Sequence, residues 1–164
     1  MINYWKLQGI PHKGWILEDV IDSREYQQEV DYENCMMCGN EKIRYIHILT
    51  HPDIEEEYRV GCMCAEKMTN DYVNPKQREI KLKNKANRRI KWSQKKWKIS
   101  QNGNSYLNFQ EHHILIYVNK ETGKFKVKIG EIFGKKEFDN LDEAKIAAFD
   151  GIEYLKESGD WWLI

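Results

Sequence analysis

Apolar side chains change their spacing several times along the chain, and each change marks an element. Lys124 to Ile129 alternates strictly between Lys and the apolar residues Phe125, Val127 and Ile129, the period of a strand buried on one face. Ile114-Leu115-Ile116-Tyr117-Val118 is an uninterrupted apolar run that reads as a partner strand, with residues 119–123 as the hairpin loop between them. Lys135 to Phe138 predicts a third strand. From Leu141 the spacing becomes helical. Leu141, Ala144, Ala148, Ile152 and Leu155 follow one another at steps of 3, 4, 4 and 3, a stripe that faces a core. The capping sequence Asn140-Leu141-Asp142-Glu143 opens that helix. Residues 99–164 thus predict a three-stranded antiparallel sheet packed on one helix.

Upstream, Arg44 to Leu49 and Glu57 to Val60 read as two strands separated by the breaker Thr50-His51-Pro52-Asp53. Ala65-Glu66-Lys67-Met68 begins a short helix. The stretch from Gly9 to Trp15 is a turn or loop, and Glu18 to Val30 predicts a short helix. Asn74, Pro75 and Gln77 form a helix-start signal. Downstream of it, Leu82, Ala86, Ile90 and Trp97 fall within about 80° on a helical wheel. A helix over 74–98 would be roughly 35 Å long. The fold class is α+β, in four segments: 1–30, an N-terminal segment; 31–73, a cysteine-bearing module; 74–98, a linking helix; and 99–164, the sheet plus helix.

With 164 residues, 12% aromatic side chains and a formal net charge of zero, the chain has the composition of a folded protein rather than a disordered one. No apolar run approaches the ~18 residues of a membrane span, and no apolar stretch follows a basic start. The expectation is a cytoplasmic protein without membrane partners, where thiols stay reduced. The zero net charge hides an asymmetry. Residues 1–75 carry 7 basic and 14 acidic side chains, residues 76–98 carry 11 and 1, and residues 99–164 carry 8 and 11.

All four cysteines fall in the second segment, as Cys35-x₂-Cys38-Gly39 and Gly61-Cys62-x-Cys64. Two close pairs brought together by a hairpin suit zinc, which takes four tetrahedral thiolate or imidazole ligands. A structural Zn2+ on Cys35, Cys38, Cys62 and Cys64 is expected, with no open position for a substrate. The order knuckle, hairpin, helix resembles a treble-clef zinc finger. More narrowly, C-x₂-C-G followed by V-G-x-x-C-A is similar to small zinc-binding proteins of bacteria and phages, most of them without an assigned activity. That resemblance puts Cys35, Cys38 and Cys64 on the shared positions and leaves the fourth ligand open between Cys62, His47 and His51. Buried free thiols and a redox Cys35–Cys38 pair are the competing readings. Treble-clef nucleases of the His-Asn-His kind would use hairpin histidines such as His47 and His51, which gives a metal-dependent nuclease as a further alternative.

The basic segment attracts polyanions, because neutralising phosphates releases counterions. Arg78, Lys81, Lys85, Arg88, Arg89, Lys95 and Lys96 are the expected phosphate contacts, and Lys126 and Lys128 on the open sheet face form a second contact surface. Strands followed by a helix, carried by Lys124 to Ile129 and Phe138 to Ala144, resemble the DNA-binding domains of plant ethylene-response factors and the arm-binding domains of integrases. The expected function is a non-catalytic, zinc-stabilised protein that binds DNA or RNA and takes no small-molecule substrate. The alternative is a protein-binding adaptor or inhibitor, for example in phage–host conflict, that lays the basic helix on an acidic or nucleic-acid-binding partner.

Overall fold

The computed structural model describes residues 2–25, 32–40 and 42–164. It is an α+β fold with two antiparallel sheets and three α-helices, and it divides into two compact units, Met1–Ala86 and Asn87–Ile164.

In the first unit, β1 (Ile16–Asp22), β2 (Tyr45–His51) and β3 (Ile54–Val60) form a sheet in the order β1-β2-β3. β1 replaces the helix expected from Glu18 onward, and residues 26–30 of that expectation lie outside the described residues. A bulge between Leu17 and Asp19 shifts the register against β2, so apolar positions 16, 17, 20 and 21 imitate helical spacing although the backbone is extended. β2 and β3 are the expected hairpin, each longer than its apolar run. Helix α1 (Cys62–Thr69) follows directly and stops at Asn70, whose left-handed φ of 53° closes it. The core of this unit gathers Trp15, Met37, Leu49, Tyr58, Val60, Ala65 and Met68 with Cys35 and Cys64. Trp15 enters it from the Gly9–Trp15 loop: its indole N–H donates to the Pro11 carbonyl at 2.8 Å, and its ring lies 4.8 Å from that of Tyr58.

Helix α2 spans Asn74–Ser93, and the boundary between the two units falls within it. Asp71 supplies the lead-in, its carboxylate accepting the backbone N–H groups of Val73 and Asn74 at 2.9 and 3.0 Å. The helix ends five residues before the expected Lys98. Its apolar face also differs from expectation: Ile90 is 60% exposed, whereas Trp92 is buried and donates its indole N–H to the Lys145 carbonyl.

The second unit is a five-stranded meander rather than three strands. It runs β4 (Lys98–Ile99), β5 (Ser105–Phe109), β6 (His112–Val118), β7 (Phe125–Ile129) and β8 (Ile132–Phe133). The expected strand at 135–138 contributes a single bridge, Phe125 to Phe138. The tight turn at Gly130, with φ of 57°, brings Ile132 back against Ile129 first. Helix α3 (Leu141–Ser158) is capped by Asn140, which accepts the Glu143 N–H at 2.8 Å, and is closed by Gly159. Ala144, Ala148, Phe149, Ile152 and Leu155 of α3 pack with Ile114, Ile116, Val127, Ile129, Trp92 and Trp161. Among the described residues no helix is long and apolar enough to cross a membrane.

Candidate metal centre

The knuckle after Glu33 is built by local backbone constraints. Gly39 takes φ of 79° and donates its N–H to the Cys35 carbonyl at 2.8 Å, a conformation that glycine adopts without a Cβ clash. The Met36 N–H donates to the Arg59 carbonyl and Glu33 grips the Arg59 guanidinium, so the knuckle is docked on β3. From the other side, Tyr4 donates its N–H to the Met37 carbonyl at 2.7 Å. Gly61 then opens α1 beneath the knuckle.

This arrangement brings the sulfurs of Cys35, Cys38 and Cys64 within 4.8 Å of one another. Zinc–sulfur bonds of about 2.3 Å at tetrahedral angles place thiolates about 3.8 Å apart, so the spacing suits a common ion. All three thiols are free. The Gly61 N–H points at the Cys35 sulfur at 3.5 Å, and the Trp5 indole N–H donates to the Cys64 sulfur at 3.3 Å. A hydrogen bond from Cys64, helped by backbone N–H groups and opposed by burial, lowers the Cys35 pKa to about 5. The same contact, with burial, pushes Cys64 up. The contact thus favours the thiolate form of Cys35, and metal ligands must be deprotonated.

Cys62 does not join these three. It is the first residue of α1 and Cys64 the third, and residues two apart on a helix point to opposite sides. Cys62 instead meets His47 of β2 and Glu79 of α2, with donor atoms of the three again within 4.8 Å. Its thiol donates to Glu66 Oε1 at 3.4 Å. Burial, then the Glu79 and Glu66 carboxylates, push this thiol up. His47 is fully buried. Its Nε2–H donates to the Pro75 carbonyl at 3.2 Å, and its Nδ1 has no partner. An unpaired buried acceptor of this kind costs about 1–3 kcal/mol. Both groups could hold a metal ion.

His51 is placed elsewhere again. Its Nδ1 accepts the Asp53 N–H, its Nε2–H donates to the Lys13 carbonyl, and its ring packs on Trp15. Both nitrogens are used to hold the hairpin turn against the Gly9–Trp15 loop.

The expected phosphate contacts are largely engaged within their own units. In the first, Arg78 pairs with Asp19 and Lys85 with Glu25. In the second, Arg88 pairs with Glu153, Arg89 grips Asp150 through two bonds of 2.9 and 3.1 Å, and Lys95 lies over Trp92 and Phe109. Lys81 and Lys96 are exposed. Lys126 and Lys128 lie on the outer sheet face, opposite Tyr117 and Leu115 of β6. Sequence reasoning did not single out Tyr106, His113 and Phe133 on that face, nor Glu66 and Glu79 beside Cys62. The Glu66 position was legible, one helical turn after Cys62, but Glu79 is brought in only by the tertiary fold. No protein-family model, curated protein or solved structure matches this chain.

Proposed function

We propose that the chain is a zinc-stabilised, non-catalytic nucleic-acid-binding protein. The zinc reading is supported by three converging thiols, a soft donor set that suits zinc, and by the order knuckle, hairpin, helix, which is that of treble-clef modules. The ion's role is structural: it ties the knuckle to the start of α1.

The observation that carries nucleic-acid binding is the outer face of the second unit's sheet. Tyr106, Leu115, Tyr117, Lys126, Lys128 and Phe133 are cross-strand neighbours there, and helix α3 packs on the other face. The Tyr106 and His113 rings lie tilted against each other with centroids 5.2 Å apart, and Lys128 Nζ lies 4.8 Å from the Phe133 ring centroid. Aromatic rings interleaved with lysines on an open sheet suit bases that stack and phosphates that need a cation. On this reading the arginines of α2 stabilise the fold, and the sheet face makes the contact.

Binding of labelled duplex DNA, single-stranded DNA and RNA across a salt series tests this. The expected result is an affinity that falls with salt, with a log–log slope near −0.9 per phosphate contacted in a duplex and −0.7 in a single strand. Tyr106→Ala or Tyr117→Ala should weaken single-strand binding by roughly 5- to 150-fold, equivalent to about 1–3 kcal/mol per stacked base. No binding at low salt overturns the reading, and metal-dependent cleavage in the same reactions overturns its non-catalytic part. A protein-binding adaptor is the second reading, favoured by Trp162 and Leu163, which are 75% and 83% exposed side by side.

A further inference from the structure

We propose that His47, Cys62, Glu66 and Glu79 form a second metal site, distinct from the three-thiol cluster, which takes a divalent ion of the zinc class and fastens the start of α2 to β2 and α1.

Three elements of the first unit deliver the donors: His47 from the middle of β2, Cys62 and Glu66 from α1, and Glu79 from the second turn of α2. An imidazole nitrogen, a thiol and carboxylate oxygens are each established zinc ligands, and together they supply four positions. The charges are otherwise poorly balanced. Two carboxylates converge on a thiol where the Glu79 side chain is only 16% exposed. The nearby cation Lys83 reaches Glu79 Oε1 at 3.4 Å, while Oε2 lies 3.9 Å from His47 Nε2, the nitrogen that also meets the Pro75 carbonyl. Acidic groups gathered in a sheltered site call for a counter-cation.

The histidine points the same way. With its Nε2–H on the Pro75 carbonyl, the ring is fixed in one tautomer and Nδ1 is a bare, buried lone pair. Imidazoles that ligate metal through one nitrogen commonly donate the other N–H to a backbone carbonyl. Pro75 stands in the first turn of α2, so the carbonyl that orients the ring belongs to the helix the ion would secure. The two sites share α1 but not ligands: Cys64 faces one and Cys62 the other.

Zinc content of the purified full chain, with cobalt(II) absorption of the reconstituted protein, tests this. The expected stoichiometry is two ions per chain. The near-isosteric changes Cys62→Ser and Glu79→Gln should each lower it to one and leave the intense thiolate-to-cobalt band of the three-thiol site. Cys38→Ser should weaken that band and leave the second ion. One ion per chain, unchanged by Cys62→Ser and Glu79→Gln, overturns the proposal and leaves the three-thiol site standing. One ion lost in Cys62→Ser and kept in Cys38→Ser supports this proposal and sinks the three-thiol reading. No ion in either place overturns both. Circular dichroism of each variant separates loss of the ion from loss of the fold, and amide exchange at Gln77 to Ile80 should slow when the second equivalent is added.

Discussion

Glu33 meets the Arg59 guanidinium through two parallel bonds of 2.7 and 2.8 Å, and the contact anchors the segment leading into the Cys35–Cys38 knuckle. Those hydrogen bonds hold the Glu33 carboxyl below its usual value of 4.5. A carboxylate with a lowered folded pKa contributes stability that is fully present above the unfolded value and is lost as pH falls through the folded one. Glu33→Gln should therefore flatten the acid limb of the urea-midpoint profile between about pH 5 and about pH 3, a slope that the unaltered chain keeps. At this scale the sequence was informative about donors and uninformative about direction. Cys35, Cys38 and Cys64 could be grouped from spacing, but Cys62 was grouped with them because adjacency in sequence is a poor guide on a helix. The rotation of about 200° between positions one and three of α1 decides which ion each thiol can reach.

Among the elements, the turn between β5 and β6 is the most strained by composition. Gln110 and Glu111 both adopt positive φ, 48° and 69°, the conformation of a two-residue type I′ hairpin turn. Side chains other than Gly, Asn and Asp lose roughly 1–2 kcal/mol per residue there. Replacing the pair by Asn-Gly should stabilise the second unit by about 1 kcal/mol, read as a higher thermal midpoint with the fold unchanged. α3, β6 and β7 were legible because their periods are uninterrupted and their caps are local. β1 was not, because its bulge breaks the alternation that identifies a strand. β5 was missed because Ser105-Tyr106-Leu107-Asn108-Phe109 has no pure alternation and its turn lacks glycine. The interior face of α2 was misjudged for a different reason. Its pattern is mostly polar, so the few apolar positions do not reveal that Trp92, not Ile90, is the one the core requires.

Over the whole molecule, part of the most basic stretch of the chain is paired with acids of its own unit rather than presented as one uniform field. The first unit answers Arg78 and Lys85 with Asp19 and Glu25; the second answers Arg88 and Arg89 with Glu153 and Asp150. Formal charge read along the sequence therefore overstates what a polyanion would meet. Arg89→Ala should lower the stability of the second unit more than it lowers nucleic-acid affinity. The two units also rest on different supports. The second holds a continuous apolar core of Trp, Phe, Ile and Ala side chains, whereas the first places two of its candidate metal ligands, Cys35 and Cys64, inside its own core. A strong chelator should accordingly speed amide exchange in β2, β3 and α1 while the amides of β6 and β7 keep their protection, and equal loss in both units would refute this division of support.

The indole of Trp5 rests its N–H on the Cys64 sulfur, and an excited indole is sensitive to the charge on a neighbouring atom. Whether that sulfur carries a proton, a bare charge or a metal ion is thus written into the emission of one tryptophan. Comparison with Trp5→Phe isolates its share of the light, so the occupancy of the thiol cluster can be followed in real time without an added dye.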